Sequence, residues 1–202
     1  MGADRRDHPG PVNFLAHLWL ADRTATSLTG AVLGDVVRGA DLSAYPAHLE
    51  QGIRLHRRVD AATDRHAAIV RLREGFAHGQ RRYAGIVLDL AADHALALDW
   101  SRHHARPLAE FCTDAAAQLA ADSAWFVEAG GRAIEAASFA RLLLSYAHPD
   151  GIERALQRTA QRLREPQRLL HAAERWTERL PDLRAALPGL LDDLQSAATA
   201  AR

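Results

Sequence analysis

The 202-residue chain has no lysine. All 25 of its basic side chains are arginine, and 25 aspartates and glutamates cancel them to a formal net charge of zero. A neutral chain presents no general field to recruit nucleic acid or an acidic membrane, so neither is expected as a partner. Cysteine is nearly absent too. Cys112 stands alone, which excludes an internal disulfide scaffold and fits a reducing cytoplasm. Aromatic residues make up only 6%, runs of valine and isoleucine are rare, and no apolar–polar alternation persists, which argues against a sheet. Apolar runs are short and broken by His17, Asp35 or Asp89, so none suits a bilayer span. There is no phosphate-cradling glycine loop. Ser27, Ser101 and Ser145 lie in no nucleophile elbow, and nothing around Cys112 would stabilise a thiolate.

What remains is a globular composition, 48% hydrophobic and 25% charged, dominated by alanine, leucine and arginine. These are helix formers, and the expected fold is all-α. Residues 1–12, polar and without the apolar core of a signal peptide, are expected to form a disordered extension. Residues 13–202 are expected to form one helical domain, since no repeat or long linker divides them. Asn13 would cap a helix to Ala21, and Thr26 or Ser27 one through Val37 that stops at Gly39. Pro46 opens a third helix to about Ala62, and Thr63 or Asp64 caps the next. A long helix is expected from Gln80 to His104, and one from Arg132 to Ala147. The tail from Ser196 should fray.

Nine of the eleven histidines precede residue 107, and four stretches there carry chemistry. His17 sits among Phe14, Leu18 and Trp19, as a buried core histidine or as a ligand; its ring nitrogens need partners either way. Asp35 follows an apolar run, where either Arg38 one turn on or a divalent cation would neutralise it. His56 and Asp60, four apart, project from one helical face, as a surface pair or as shared ligands. Asp89 and Asp93 also share a face, and two like charges on an apolar helix repel unless a cation bridges them or one is protonated. Together these segments offer carboxylate and imidazole ligands without thiolate, a set that favours Mn, Mg or Fe over structural zinc. A centre of that kind can activate water and neutralise a phosphoryl oxygen. A di-iron bundle would need Glu-x-x-His pairs, and the chain has none.

In order and spacing these blocks resemble the acyl carrier protein phosphodiesterase family, a divergent branch of the HD-type metal phosphohydrolases. The resemblance is carried by Asn13-Phe14-Leu15-Ala16-His17, Gly34-Asp35-Val36-Val37-Arg38-Gly39 and Gly52-Ile53 with His56-Arg57-Arg58-Val59-Asp60. It continues through Thr63-Asp64 and Asp89 to Asp93-His94-Ala95-Leu96, ending at Trp100, with a weaker echo from Leu143 to Arg164. It implies a distorted HD-like helical domain that removes 4′-phosphopantetheine from a serine of holo-acyl carrier protein by a metal-activated water. Mn2+ is the implied metal, with Mg2+ or Fe2+ as alternatives. By position it implies Asp35, His56, Asp60 and Asp93 as metal ligands, with Asp89 and His17 as further ligands or their supports. Asp93, His94 and Arg57 would carry catalysis, His94 as proton donor to the leaving serine oxygen. The chain departs from ordinary HD enzymes in having Asp93-His94 where they have His-Asp. An acidic carrier protein would dock on arginines 54, 57, 58, 71, 73, 81 and 82. Two other readings are a hydrolase of nucleotides or other small phosphoesters, and a non-catalytic helical protein that binds the carrier.

Overall fold

The computed structural model describes residues 14–199; the extension expected at residues 1–12 and the Asn13 cap lie outside the described residues. Among the described residues there are twelve α-helices, one 3-10 turn (Trp176–Arg179) and no strand, as the composition implied. No helix there is long and apolar enough to cross a membrane.

Two helices form the centre. Helix α5 (Arg81–Leu98) buries residues all around its circumference, from Tyr83 and Ala84 to Ala95 and Leu96, as a helix enclosed by neighbours must. Around it pack α1 (Phe14–Arg23), α4 (Ala67–Glu74), α10 (Pro149–Ala160), α11 (Pro166–Ala173) and α12 (Leu180–Thr199). Leu15, Leu18 and Leu20 of α1 are fully buried against this core. Each such side chain contributes about 1.5–3 kcal/mol on leaving water.

The second centre is the crossing of α2 (Leu28–Leu33) on α3 (Ala47–Arg65), where Gly30 faces Gly52. A Cβ on Gly30 would lie 2.5 Å from the Leu49 carbonyl oxygen, and one on Gly52 would lie 2.6 Å from the Gly30 Cα. Backbone therefore touches backbone, and larger side chains would push the helices apart. Ser27 caps α2 through its hydroxyl, which accepts the Gly30 N–H at 3.0 Å.

Several boundaries differ from expectation for local reasons. Helix α2 ends at Leu33, not Val37, because the Val36 and Val37 amides both turn back to the Leu33 carbonyl at 2.9 Å. Gly39, with φ of +80°, belongs to the loop beyond. Helix α3 continues to Arg65, and His66 rather than Thr63 or Asp64 caps α4, its ring Nδ1 accepting the Ala68 N–H. The expected helix from Gln80 to His104 breaks at Asp99, whose carboxylate accepts two hydrogen bonds from Arg184 at 2.8 and 2.6 Å. A short α6 (Trp100–His103) follows, then α7 (Leu108–Ala121) and α8 (Ser123–Glu128). Residues 131–135 are extended, and α9 (Ala136–Ser145) starts only where the Glu135 carboxylate caps the Ala137 and Ser138 amides. The end of the chain does not fray at Ser196: α12 stays helical to Thr199, with Ala198 buried.

Candidate metal centre

Two helices and a turn deliver the site. His17 comes from α1, His56 and Asp60 from successive turns of α3, and Asp35 from the tight turn after α2. The turn reaches α3 because residue 34 is glycine: a Cβ there would lie 2.3 Å from the His56 Cγ. Arg57 fastens the same turn from the α3 side, donating to the Val37 carbonyl at 3.1 Å.

The two imidazoles stack, ring centroids 4.1 Å apart, and both are 3% exposed. Asp60 reaches both of them. Its Oδ1 lies 3.0 Å from His17 Nε2 and its Oδ2 lies 3.1 Å from His56 Nε2, while the Asp60 side chain stays 47% exposed. Asp35 Oδ1 stands 3.5 Å from the same His56 nitrogen. Burial pushes His56 down, but the Asp60 and Asp35 carboxylates outweigh it and its pKa is raised. Burial pushes Asp60 up, yet the neighbouring His17 and His56 hold it well below the usual carboxylate range.

The donor set fits a divalent cation. One atom each from His17, His56 and Asp60 lies within 4.8 Å of the others. Cis ligands about an octahedral ion at ~2.1 Å are spaced ~3 Å apart, close to the separations found here. His17 Nε2 is buried and, despite its nearness to Asp60, forms no hydrogen bond of good geometry. A buried ring nitrogen facing a carboxylate without bonding it is what a shared ion would satisfy. Two imidazoles and carboxylates suit Mn, Mg or Fe chemistry.

The other residues expected at the site are placed differently. Asp93 is fully buried at the start of α1: its Oδ2 accepts the Leu15 N–H at 3.0 Å and its Oδ1 the Ala16 N–H at 2.8 Å. Burial pushes its pKa up to about 7, against the pull of the backbone amides. It clamps the helix that carries His17 and is not among the clustered donors. His94 turns away from the cluster into the core. Its Nδ1 is 2.6 Å from the Tyr146 carbonyl oxygen, its ring meets Trp176 edge-on, and burial lowers its pKa. Asp89 lies at the edge of the site, with its pKa pushed up to about 8 by burial and then by the charge of Asp60. Arg73, bonded to Asp64, opposes that shift.

The arginine patch is mostly engaged. Arg54 pairs with Glu50 and Arg73 with Asp64, Arg58 reaches the Ala198 carbonyl, and Arg81 reaches that of Phe76. The sequence named His17 as a further ligand or a support, carried Gly34 and Gly52 within motif blocks without giving them a role, and left Gly30 unremarked. The block around His17 pointed to it; only the three-dimensional crossing shows what the glycines do.

An all-helical fold in which two buried imidazoles meet a half-exposed carboxylate defines a helical protein with a candidate metal centre of hard ligands. The sequence profile described as acyl carrier protein phosphodiesterase matches residues 12–194, and the chain belongs to that family. The acyl carrier protein phosphodiesterase of Photorhabdus laumondii is 42% identical over 106 residues, 47% of this chain and 54% of that protein. That of Salmonella agona is 43% identical over 110 residues, 54% of this chain and 57% of that protein. The chain thus spans little more than half the length of the curated relatives it matches. No solved structure matches it significantly.

Proposed function

We propose that this chain is a metal-dependent phosphodiesterase of HD-like type. Its substrate would be holo-acyl carrier protein, from which it releases 4′-phosphopantetheine and leaves the serine hydroxyl of the apo-carrier. A cytoplasmic setting agrees with the lone, buried Cys112. The observation that carries the reading is the convergence of His17, His56 and Asp60 in a chain of this family.

A divalent cation, Mn2+ first and Mg2+ or Fe2+ next, supplies Lewis acidity toward a phosphoryl oxygen and lowers the pKa of water. His17, His56 and Asp60 would hold it, with Asp35 beside them. Asp60, held ionised by its two histidines, presents negative charge at an exposed edge of the site, where ion and substrate would enter. Asp93 acts through α1, fixing the turn before His17. Arg57 acts through the Val37 carbonyl, fixing Asp35. Both are positioning residues, and His94, bonded to Tyr146, supports the core.

The test is the intact mass of holo-carrier after incubation with the protein and Mn2+, with Asp60→Ala alongside. Loss of the phosphopantetheine mass with wild type alone supports the reading. No loss with either variant overturns it. Because most of the expected docking arginines are engaged, and a cavity lies beside the turn that carries Asp35, a small-phosphoester substrate is the second reading. A nucleotide screen under the same conditions separates the two.

A further inference from the structure

A cavity of about 610 Å3 lies between α1, the turn after α2, the extended segment 131–135, α9 and α10. That volume falls in the range of ~300–1,000 Å3 typical of small-molecule sites. Its walls are largely apolar, formed by Phe14, Val32, Val36, Ile134, Phe139 and Leu142. Thr159, only 4% exposed, adds a hydroxyl on one side. Gly131 lets the extended segment close on Val36, whose Cγ1 would lie 3.0 Å from a Cβ at that position.

Two features tie this cavity to the metal centre. Val36 follows Asp35 directly, and Phe14 stands one turn before His17 on α1, so the two sites share a wall. Three exposed arginines, Arg132, Arg158 and Arg162, also line the cavity. None of them forms an ion pair with a described residue, in contrast to Arg54 and Arg73, so their charge is available at the mouth.

We infer that this cavity receives the pantetheine arm of the substrate, and that Arg132, Arg158 and Arg162 meet the acidic carrier protein that bears it. The inference rests on the activity proposed above. The arm is a slender, uncharged chain with a dimethyl carbon, two amides and a terminal thiol. Its dimethyl carbon suits the apolar wall, and its polar groups suit the Thr159 hydroxyl. With the phosphodiester at His17, His56 and Asp60, the arm leads away past Val36, while the carrier remains outside against the arginine rim. Docking charge therefore sits on α10 and its flanks rather than on α3, α4 and the start of α5, where the sequence had placed it. Complementary charge of this kind speeds encounter and weakens with salt.

The test uses free pantetheine, which lacks the phosphate, titrated into methyl-labelled protein in chelator and followed by NMR. Shifts are expected at Val36, Ile134 and Leu142, with a dissociation constant on the order of 0.1–1 mM for a ligand of this size. Ala155→Phe, which fills the cavity from α10, and Ser138→Trp, which narrows it from the surface, should each weaken binding by ~10-fold or more. Each should also raise KM for holo-carrier more than it lowers kcat. Arg158→Glu with Arg162→Glu should raise KM for holo-carrier and abolish its salt dependence. Pantetheine shifts that are absent, or that map elsewhere, overturn the inference. So does an unchanged KM in both cavity variants when their melting temperatures match wild type. If wild type strips the carrier but binds no pantetheine, the cavity assignment alone fails. If it binds pantetheine at these methyls but strips nothing, the proposed activity alone fails.

Discussion

His56 with Asp60, and Asp93 with His94, are built from the same two residue types on two different helices, α3 and α5. Their fates are opposite. On α3 the pair lies one turn apart, so both groups leave the same face and meet His17 at the protein's edge, with Asp60 half exposed. On α5 the two residues are adjacent, about 100° apart around the axis. One therefore reaches α1 and the other Tyr146, and each is fully buried and bonded to backbone. Identical chemistry becomes a candidate ligand set where side chains face each other near solvent, and a structural fastening where they face unsatisfied peptide groups.

The contrast can be broken by experiment, beginning with the largest effect. Asp60→Ala should abolish hydrolysis of holo-carrier in the mass assay while unfolding in urea within ~2 kcal/mol of wild type, because its side chain is half exposed. Gly34→Ala, which touches no polar atom, should also lose most metal binding, since its new methyl would displace the His56 ring; calorimetric titration with Mn2+ reads this. Asp93→Ala should cost ~3 kcal/mol or more in urea unfolding, having removed a buried acceptor from two amides. Asp93→Asn, which keeps one acceptor, should cost less. Full stability of Asp93→Ala combined with lost activity would move Asp93 back into catalysis.

A smaller effect follows from pH. The Asp89 pKa is raised from 3.8 to about 8 in the fold, so between those values the folded chain keeps a proton that the unfolded chain has lost. Folded-state stability from this group is greatest in acid and falls as pH rises toward 8, then levels. In chelator, Asp89→Asn should flatten the decline in melting temperature between pH 4.5 and 8. The smallest effect is expected of Arg57→Ala, which loses one hydrogen bond to Val37, worth ~1 kcal/mol, and should weaken Mn2+ binding only a few-fold.

How far the sequence spoke depended on the range of the interaction. The all-α class, Ser27 as a cap and the shared face of His56 and Asp60 all follow from helical spacing within a few residues. Asp35 and His17 were recognisable from carboxylate or imidazole set in apolar sequence. Their meeting with His56 and Asp60 was not, because Asp35 depends on the Gly30–Gly52 crossing that brings α2 onto α3, and His17 on the packing of α1 against α3. The partners of Asp93 were hidden for a related reason: a carboxylate on a buried helix is costly without a partner, and the groups it meets are amides 77 and 78 residues away. The break at Asp99 likewise depends on Arg184, on a helix 85 residues distant. The arginines at 54, 57, 58 and 73 looked free in sequence and are engaged in the fold, whereas 132, 158 and 162 drew no notice and line the cavity.

The most direct test of the central claim is Mn2+ titration of wild type, His56→Ala and His94→Ala, with binding read by the loss of the free-ion electron paramagnetic resonance signal. Wild type and His94→Ala should bind the ion alike, and His56→Ala should lose affinity by more than the ~10–100-fold expected when only an outer partner is removed. Wild-type affinity in His56→Ala, or its loss in a folded His94→Ala, would contradict the account.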